Sequence, residues 1–260
     1  MENKKTYIEP FKMHNNIYFV GSTKVSVHII ETKEGLVMID TGYPDMYEDI
    51  LYSMNKLGLD PKDICAIFHS HGHFDHIGCT IQFKELSGAK TYISRIDNDI
   101  VNGTYDLSWA KEAKIERLPY FNCDVLIEDG DVFTFGKTSI RCRHTPGHTD
   151  GVMSFFITTE GDDVVAAMHG GIGTNTLRAS FLNAYGFSFE NREIFRKGLH
   201  ALADEKVDLV LGNHPGQSGT IEKLQKVKNG ESAVDPTQWK QFLIWAEGNL
   251  DEVIKSEKQL

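Results

Sequence analysis

Four histidines and an aspartate fall within the eight residues from His69 to His76, directly after an apolar run that is typical of a buried strand. Histidine and aspartate are costly to bury unless they are paired or bound to a metal. Imidazole nitrogens and carboxylate oxygens are ligands that zinc accepts in proteins. The cluster therefore predicts a metal site in the loop after a strand, in preference to a solvated polar turn.

The spacing inside this cluster separates its candidate ligands into two pairs. His71 and His73 are two residues apart in a loop that leaves a strand, so both rings can point into one cavity. Asp75 and His76 follow at the start of the next predicted helix and are displaced far enough to serve a neighbouring metal ion. The cluster alone therefore offers ligands to two adjacent metals.

Two later loops each add one histidine to this set. The segment His144–Gly151 reads HTPGHTDG, and its proline and two glycines predict a tight turn that aims His148 at the same cavity. The segment Asn213–Gly216 reads NHPG and places His214 directly after another apolar strand. These loops predict a site at one edge of the fold, where a rigid scaffold positions loop residues.

Composition excludes several classes of function. The formal net charge of −10, without any lysine- or arginine-rich block, argues against nucleic-acid binding. No segment approaches the ~20 apolar residues of a membrane span, and Met1–Pro10 lacks the apolar core of a secretory signal. We therefore expect a cytoplasmic protein with no membrane or nucleic-acid partner. Its cysteines are expected to stay reduced, with Cys65 and Cys142 as small buried hydrophobes.

Hydrophobic patterning predicts strands in both halves of the chain, with helices after them. Strands are expected at Ile17–Val20, Val25–Glu31, Leu36–Asp40, Ile64–Phe68, Thr91–Ser94, Val125–Ile127, Val132–Phe135, Thr138–His144, Val152–Thr158, Val164–Ala167 and Val207–Leu211. Helices are expected at Met46–Leu57, Ile77–Leu86, Asn191–Ala203 and Gly219–Val227. Pro236 fits the first turn of a final helix that reaches about Lys255, and the stretch from about Asn98 to Cys123 is expected to be irregular.

This order of elements predicts an α/β fold in which two mixed sheets pack face to face with helices outside, a four-layer αββα sandwich. No low-complexity linker separates the two halves. Residues 1–260 are therefore expected to form one domain.

The run His71–His76 matches the His-x-His-x-Asp-His motif of the metallo-β-lactamase superfamily, which this chain resembles over nearly its whole length. The sequence TPGHTDG around His148 matches a second motif of that family, and Leu36–Gly42 looks like its early strand and turn. Within the superfamily the chain looks most like the class B, subclass 3 β-lactamases. That likeness is carried by Val20-Gly21, Glu128–Asp131, His214–Gly216 and Val234–Pro236.

The resemblance implies a ligand set and a reaction. By that resemblance, one zinc ion is bound by His71, His73 and His148, and a second by Asp75, His76 and His214. Three imidazoles leave a fourth tetrahedral position open for water, which is typical of a catalytic zinc site. The family relationship thus implies a dinuclear zinc hydrolase in which a metal-bound hydroxide attacks a carbonyl, with Asp75 orienting it and relaying a proton. Iron and manganese are the alternative metals.

Position 169 departs from the pattern of most superfamily hydrolases, which carry a metal-bridging aspartate there. This chain has Met168-His169-Gly170-Gly171. Subclass 3 β-lactamases also lack that aspartate, which favours them over the glyoxalase II and lactonase branches. We place His169 in the active site with four roles open: a metal ligand, a hydrogen-bond partner of the hydroxide, a proton donor, or a residue that holds a neighbouring ligand.

The substrate stays open between a β-lactam or other cyclic amide, a lactone and a thioester. The first hypothesis, which the resemblance implies, is a β-lactam. Subclass 3 β-lactamases act in the periplasm or outside the cell, so the missing secretory signal gives the alternative, a cytoplasmic hydrolase of a different amide, a lactone or a thioester with little β-lactamase activity. In that case Tyr185 or Asn175 is predicted to contact the substrate carbonyl. A di-iron redox protein of the same fold is a second alternative, although 260 residues leave no room for the flavodoxin module that such proteins commonly carry.

The remaining polar residues near these motifs are predicted to support the ligands without binding metal. His69 and His144 flank ligand positions, and Asp40 is expected to organise the loop around the metals. The other histidines are expected to be unconnected with the chemistry: His14, His28 and His200.

Overall fold

The computed structural model describes residues 6–116 and 118–258. Within these ranges, strands form one seven-stranded sheet and one five-stranded sheet. The prediction of a cytoplasmic protein used the segment Met1–Pro10, which lacks the apolar core of a secretory signal. The first five residues of that segment lie outside the described residues.

The first sheet contains seven strands that lie side by side in chain order. They are β1 (Phe11–His14), β2 (Ile17–Phe19), β3 (His28–Thr32), β4 (Gly35–Ile39), β5 (Ile64–Phe68), β6 (Lys90–Ser94) and β7 (Val125–Ile127). Strands β1 to β4 pair antiparallel, whereas β4 to β7 pair in parallel. The parallel pairing brings the carboxyl ends of β4, β5 and β6 to one edge of the sheet.

The second sheet comes from the later part of the chain. Its strands are β8 (Val132–Phe135), β9 (Thr138–His144), β10 (Met153–Thr159), β11 (Ala166–His169) and β12 (Leu209–Gly212). Their spatial order is β12-β11-β10-β9-β8, and only β11 and β12 pair in parallel among these strands.

Helices follow the strands in both halves. They are α1 (Tyr47–Lys56), α2 (Phe74–Ile77), α3 (Thr80–Ser87), α4 (Asn98–Val101), α5 (Ala179–Tyr185), α6 (Asn191–Ala201), α7 (Pro215–Ser218), α8 (Thr220–Lys228) and α9 (Gln238–Glu257). Short 3-10 helices cover Pro61–Asp63 and Asn175–Leu177. Among the described helices, none combines the length and the apolar character that crossing a membrane requires.

The main core lies between the two sheets because side chains alternate between the faces of each strand. Phe68 of β5 stacks on Tyr92 of β6 with ring centroids 4.3 Å apart, and it meets Phe155 of β10 edge to face at 5.7 Å. The outer face of the first sheet packs on α1 and α3, and that of the second sheet on α6 and α9. The predicted αββα sandwich is therefore confirmed.

The differences from the predicted elements concern short segments and element ends. Strand β1 and helices α5 and α7 were not predicted, because segments of four to seven residues carry too few positions to show a period. The predicted strand Val25–Glu31 begins only at His28, and His169 ends β11 instead of following it. The final helix begins at Gln238, two residues beyond Pro236.

Lys223 of α8 is a buried lysine, and it should limit the stability of the protein. Its Nζ donates a hydrogen bond to the carbonyl of Ser218, and burial lowers the pKa of this lysine to about 8. We expect Lys223→Met to raise the free energy of unfolding at pH 7 by about 1–3 kcal/mol, because a cation is no longer buried. Urea unfolding followed by circular dichroism measures this change.

The pH dependence of the same lysine has a defined sign. The pKa is depressed in the folded state, so the unfolded chain binds more protons and stability should rise with pH between about 8 and about 10.4. The difference in the free energy of unfolding between Lys223→Met and the wild type should therefore become smaller as the pH rises across that range. Lys240→Met, at an exposed position of α9, serves as the control and should change little. A Lys223→Met protein less stable than the wild type at pH 7 would contradict the prediction.

Candidate metal centre

Three histidine rings converge where loops from the ends of strands of both sheets meet. His71 lies in the loop after β5, His73 precedes the first residue of α2, and His148 lies in the loop between β9 and β10. The Nε2 atoms of His71 and His148 lie 3.0 and 3.1 Å from Nδ1 of His73. We call these three residues the first group.

Backbone carbonyls determine which nitrogens of the first group face inward. Nδ1 of His71 donates to the carbonyl of Gly170 at 2.8 Å, and Nδ1 of His148 donates to the carbonyl of Gly173 at 2.8 Å. A neutral imidazole carries a single N–H, so both Nε2 atoms present lone pairs to His73. Because Nδ1 of His73 can donate to only one of them, at least one lone pair is left without a proton donor in the group. Such a donor set fits a cation.

Burial keeps these rings neutral. It lowers the pKa of His71 and His73 well below the usual range, and it lowers that of His148 to about 4. Metal ligation requires deprotonated, neutral histidine. The first group is therefore in the protonation state that a metal ion needs.

A second group lies beside the first. Oδ2 of Asp75 is 3.6 Å from Nε2 of His76 and 3.8 Å from Nε2 of His214, which directly precedes α7. The ring centroids of His71 and His76 are 4.2 Å apart, so the two groups are neighbours. Nε2 of His76 is buried and has no hydrogen-bond partner among the described residues. This unpartnered nitrogen fits a site that a second cation completes.

Asp40 holds the loop that carries these ligands. Its φ of +58° is a left-handed conformation that aspartate tolerates better than most residues. One carboxylate oxygen accepts from the amide of Ser70, and the other accepts from the Ser70 hydroxyl and from Nδ1 of His76, each at 2.8 Å. Burial alone would raise the pKa of Asp40, but His76 and Ser70 hold it below its usual range. The structure thus agrees with the role predicted for Asp40.

Asp97 links the loops of both sheets, and it was not identified from the sequence. The residue is buried just after β6, and its Oδ2 accepts from the amide of Gly72 at 2.8 Å and from the hydroxyl of Thr149 at 2.7 Å. These two partners are direct neighbours of His71 and His148. Burial raises the pKa of Asp97 to about 6. Its position after a parallel strand of the same edge is the sequence signal that could have suggested it.

Gly170 is a point of close backbone approach. A Cβ atom at this position would collide with the carbonyl oxygen of Met153 in β10. Without a side chain, the carbonyl of Gly170 can accept from both Nδ1 of His71 and Nδ2 of Asn213, each at 2.8 Å. The glycine therefore joins the loop after β11 to the first group.

A cavity of about 710 Å³ opens beside the first group. His73 and His148 lie on its wall, together with an aromatic surface of Phe181, Tyr185 and Phe187. This size is ordinary for a small-molecule site.

The sequence model of the metallo-beta-lactamase superfamily matches residues 20–167, which is more than half of the chain. The chain belongs to this superfamily. It is accordingly an enzyme of the metal-dependent hydrolase class.

Individual curated proteins resemble the chain at low identity. An uncharacterized protein of Aquifex aeolicus is 34% identical over 94 residues, which cover 36% of this chain and 43% of that protein. An N-acyl homoserine lactonase of Bacillus thuringiensis is 26% identical over 158 residues, which cover 51% of this chain and 58% of the lactonase. The chain thus spans about half the length of these two relatives.

Solved structures of the superfamily match over nearly the entire chain. BJP-1, a subclass B3 metallo-beta-lactamase of Bradyrhizobium japonicum, superimposes with a TM-score of 0.84 at 25% identity, covering 99% of this chain and 98% of that one. Within the metallo-β-lactamase superfamily, the chain is therefore most like subclass B3, as the sequence motifs indicated.

The structure places His169 outside both groups of this superfamily member. Its Nδ1 accepts from the amide of Gly171 at 3.3 Å, and its ring packs near Phe195. Burial lowers the pKa of His169 to about 3. These contacts support the alternative in which His169 holds the turn next to Gly170, and through it His71.

The other predicted residues divide between the cavity and the surrounding structure. Tyr185 lines the cavity and donates to Glu112, whereas Asn175 is not among the described residues that line it. Nε2 of His69 contacts the Thr80 hydroxyl, and Nε2 of His144 donates to the carbonyl of Asp150. His14 and His200 pair with the half-buried carboxylates of Asp162 and Glu247, and His28 is buried beside Phe19.

Proposed function

We propose that this chain hydrolyses the bond between the acyl carbon and the nitrogen or oxygen of a small cyclic amide or ester, with the help of two metal ions. The six ligands would be His71, His73 and His148 for one ion, and Asp75, His76 and His214 for the other. The adjacency of these two groups beside a cavity of about 710 Å³ carries the proposal. Five imidazoles and one carboxylate suit zinc better than magnesium or calcium, which prefer oxygen ligands.

Each ligand has a partner that sets its orientation. The carbonyls of Gly170 and Gly173 hold His71 and His148, while Asp40 and the carbonyl of Lys24 hold His76 and His214. Such outer partners orient histidine ligands and raise their basicity. Metal ions bound there would supply Lewis-acid activation of water and of the substrate carbonyl.

Among the described residues, Asp75 is the one carboxylate of the two ligand groups. Its Oδ2 faces the histidines of the second group, and its side chain is 13% exposed, so it can also meet water. We assign to Asp75 the orientation of the attacking water and the acceptance of its proton. His169, in contrast, acts on the chemistry through the turn that holds His71.

Two observations favour different substrates within this reaction class. The likeness to BJP-1 favours a β-lactam, which is what a metallo-beta-lactamase cleaves. The sequence match to an N-acyl homoserine lactonase favours a lactone. Both are cyclic acyl compounds that one water molecule opens, so the same ligand groups serve either.

The test is hydrolysis by metal-free protein before and after addition of two equivalents of zinc. Nitrocefin, an N-acyl homoserine lactone and an acyl-glutathione thioester should be assayed side by side. We expect zinc-dependent turnover of nitrocefin or of the lactone and its loss with EDTA, whereas turnover of the thioester alone would contradict a cyclic substrate. Elemental analysis of the purified protein reports whether zinc, iron or manganese is bound.

A matched pair of variants completes this experiment. His71→Ala removes a ligand of the first group and should lower kcat/KM by at least about a thousandfold, because electrostatic stabilisation and water activation are lost together. His200→Ala changes a histidine whose side chain is 61% exposed and paired with Glu247, and it should leave turnover unchanged. Activity that is indifferent to both EDTA and His71→Ala would refute the proposed function.

A further inference from the structure

The wall of the cavity is strongly acidic. Its charged lining residues are Asp97, Asp99, Asp106, Asp150 and Arg95. Arg95, the one cationic side chain among the described lining residues, donates from Nε to Glu128 at 2.6 Å. Its charge is therefore largely matched by a carboxylate outside the cavity, and the cavity keeps an excess of negative charge.

Three of these aspartates keep their charges available to a ligand. Asp106 and Asp150 are exposed, and neither side chain forms an ion pair with another described residue. Asp99 is half-buried and accepts only a long contact of 3.4 Å from Asn102. Asp97 is buried between two loops, and its Oδ1 has no hydrogen-bond partner among the described residues. Acidic groups thus extend from the interior of the cavity to its opening.

An aromatic surface completes the cavity. Phe181 stacks on Tyr185 with ring centroids 4.5 Å apart, and its plane lies within 7° of that of Phe187. These stacked rings form an apolar surface on the cavity wall. The aromatic surface suits an apolar body and the aspartates suit a positive charge, so the cavity favours a ligand that carries both.

Metal ions would add positive charge where His73 and His148 line this cavity. Ions in the first and second groups would attract the electron-rich carbonyl of a substrate, and local charge arguments must include them. Asp106 and Asp150 are exposed and belong to neither ligand group, so they would act on a part of the substrate other than the scissile carbonyl. The metal ions and these aspartates would thus select for different features of one molecule.

We propose that this cavity selects substrates that carry a cationic group away from the scissile carbonyl and disfavours those that carry a carboxylate there. This inference rests on the proposed function, which supplies the position of the scissile carbonyl. It adds to that function the charge that the substrate carries. It runs against the simplest expectation from BJP-1, because β-lactam antibiotics carry a carboxylate. Nitrocefin should accordingly be a poorer substrate than an uncharged lactone.

Binding of three unreactive amides to the zinc-loaded protein tests the inference separately from catalysis. The probes are phenylacetamides with a trimethylammonium, a tert-butyl or a carboxylate group in the para position. Trimethylammonium and tert-butyl have the same shape, so their comparison isolates charge. Calorimetry at low salt should show the cation binding about tenfold more tightly than the tert-butyl probe, and the carboxylate binding more weakly than both.

Two triple variants locate the cause. Asp99→Asn, Asp106→Asn and Asp150→Asn together should bring the cation and the tert-butyl probe within about twofold of each other. The control combines Glu48→Gln, Asp204→Asn and Glu231→Gln, which removes the same charge at exposed positions outside the cavity lining and should keep the preference. Salt at 0.5 M should weaken the preference of the wild type, because mobile ions screen exposed charges.

The outcomes separate this inference from the proposed function. Equal or tighter binding of the carboxylate probe, or a cation preference that persists in the cavity triple variant, would overturn the inference while leaving zinc-dependent hydrolysis intact. Charge-selective binding in a protein without any zinc-dependent turnover would support the selectivity of the cavity and reject the hydrolase proposal.

Discussion

Replacing Asp40 with asparagine is expected to weaken zinc binding at the second group by about 10- to 100-fold. Asparagine has the same shape and also tolerates the left-handed backbone at this position. Its amide group, however, donates where the carboxylate accepts from Nδ1 of His76. His76 would then keep its proton on Nε2, the nitrogen that faces Asp75, and a protonated nitrogen cannot bind a metal.

Competitive titration of zinc against a chromophoric chelator measures this effect site by site. In the Asp40→Asn protein, one zinc should bind as in the wild type and one should bind more weakly. The control is Asp162→Asn, which removes the carboxylate of another aspartate–histidine pair, with His14 at 2.9 Å, outside both groups. Two unchanged zinc affinities in Asp40→Asn would show that the orientation of His76 does not depend on this carboxylate.

Replacing Asp97 with alanine is expected to lower the free energy of unfolding by about 2–4 kcal/mol. The substitution leaves the amide of Gly72 and the hydroxyl of Thr149 without their shared acceptor in a buried place. It also removes the link that Asp97 forms between the loops of His71 and His148. We therefore expect zinc affinity at the first group and kcat to fall together.

Urea unfolding and the zinc titration together check this second expectation. Asp99→Asn is the matched control, since Asp99 also lines the cavity but forms no bond between the two loops. Its free energy of unfolding should stay within about 0.5 kcal/mol of the wild type. If Asp97→Ala unfolds at the same urea concentration as the wild type, Asp97 does not stabilise the loops that carry the candidate metal ligands.

The parts of the site that the sequence predicted are those encoded by short local patterns. Four candidate ligands lie within His71–His76, and the turn geometry of that segment alone brings them near one another. His148 could be added because the proline and glycines of its segment predict a tight turn after a strand, and His214 because it directly follows an apolar strand. The sandwich followed from the same strands, whose alternating apolar residues show which faces are buried.

The parts that the sequence did not predict depend on contacts between distant segments. Asp97 acts only because Gly72 and Thr149 arrive from two different sheets. Likewise, every residue has a backbone carbonyl, so the sequence does not show that the carbonyl of Gly170 accepts a hydrogen bond from His71. The cavity wall at Phe181–Phe187 comes from a short helix whose seven residues show no clear period.

Both ligand groups combine residues from the two sheets. His71 and His73 follow β5 of the first sheet, while His148 and His214 follow β9 and β12 of the second. Bound metal would therefore link the two halves of the sandwich. A metal ion that binds the folded chain and not the unfolded chain increases the free energy of unfolding. Removal of the metal would then do more than stop turnover. It would weaken the contact between the two halves of the sandwich, and proteases would degrade the protein faster.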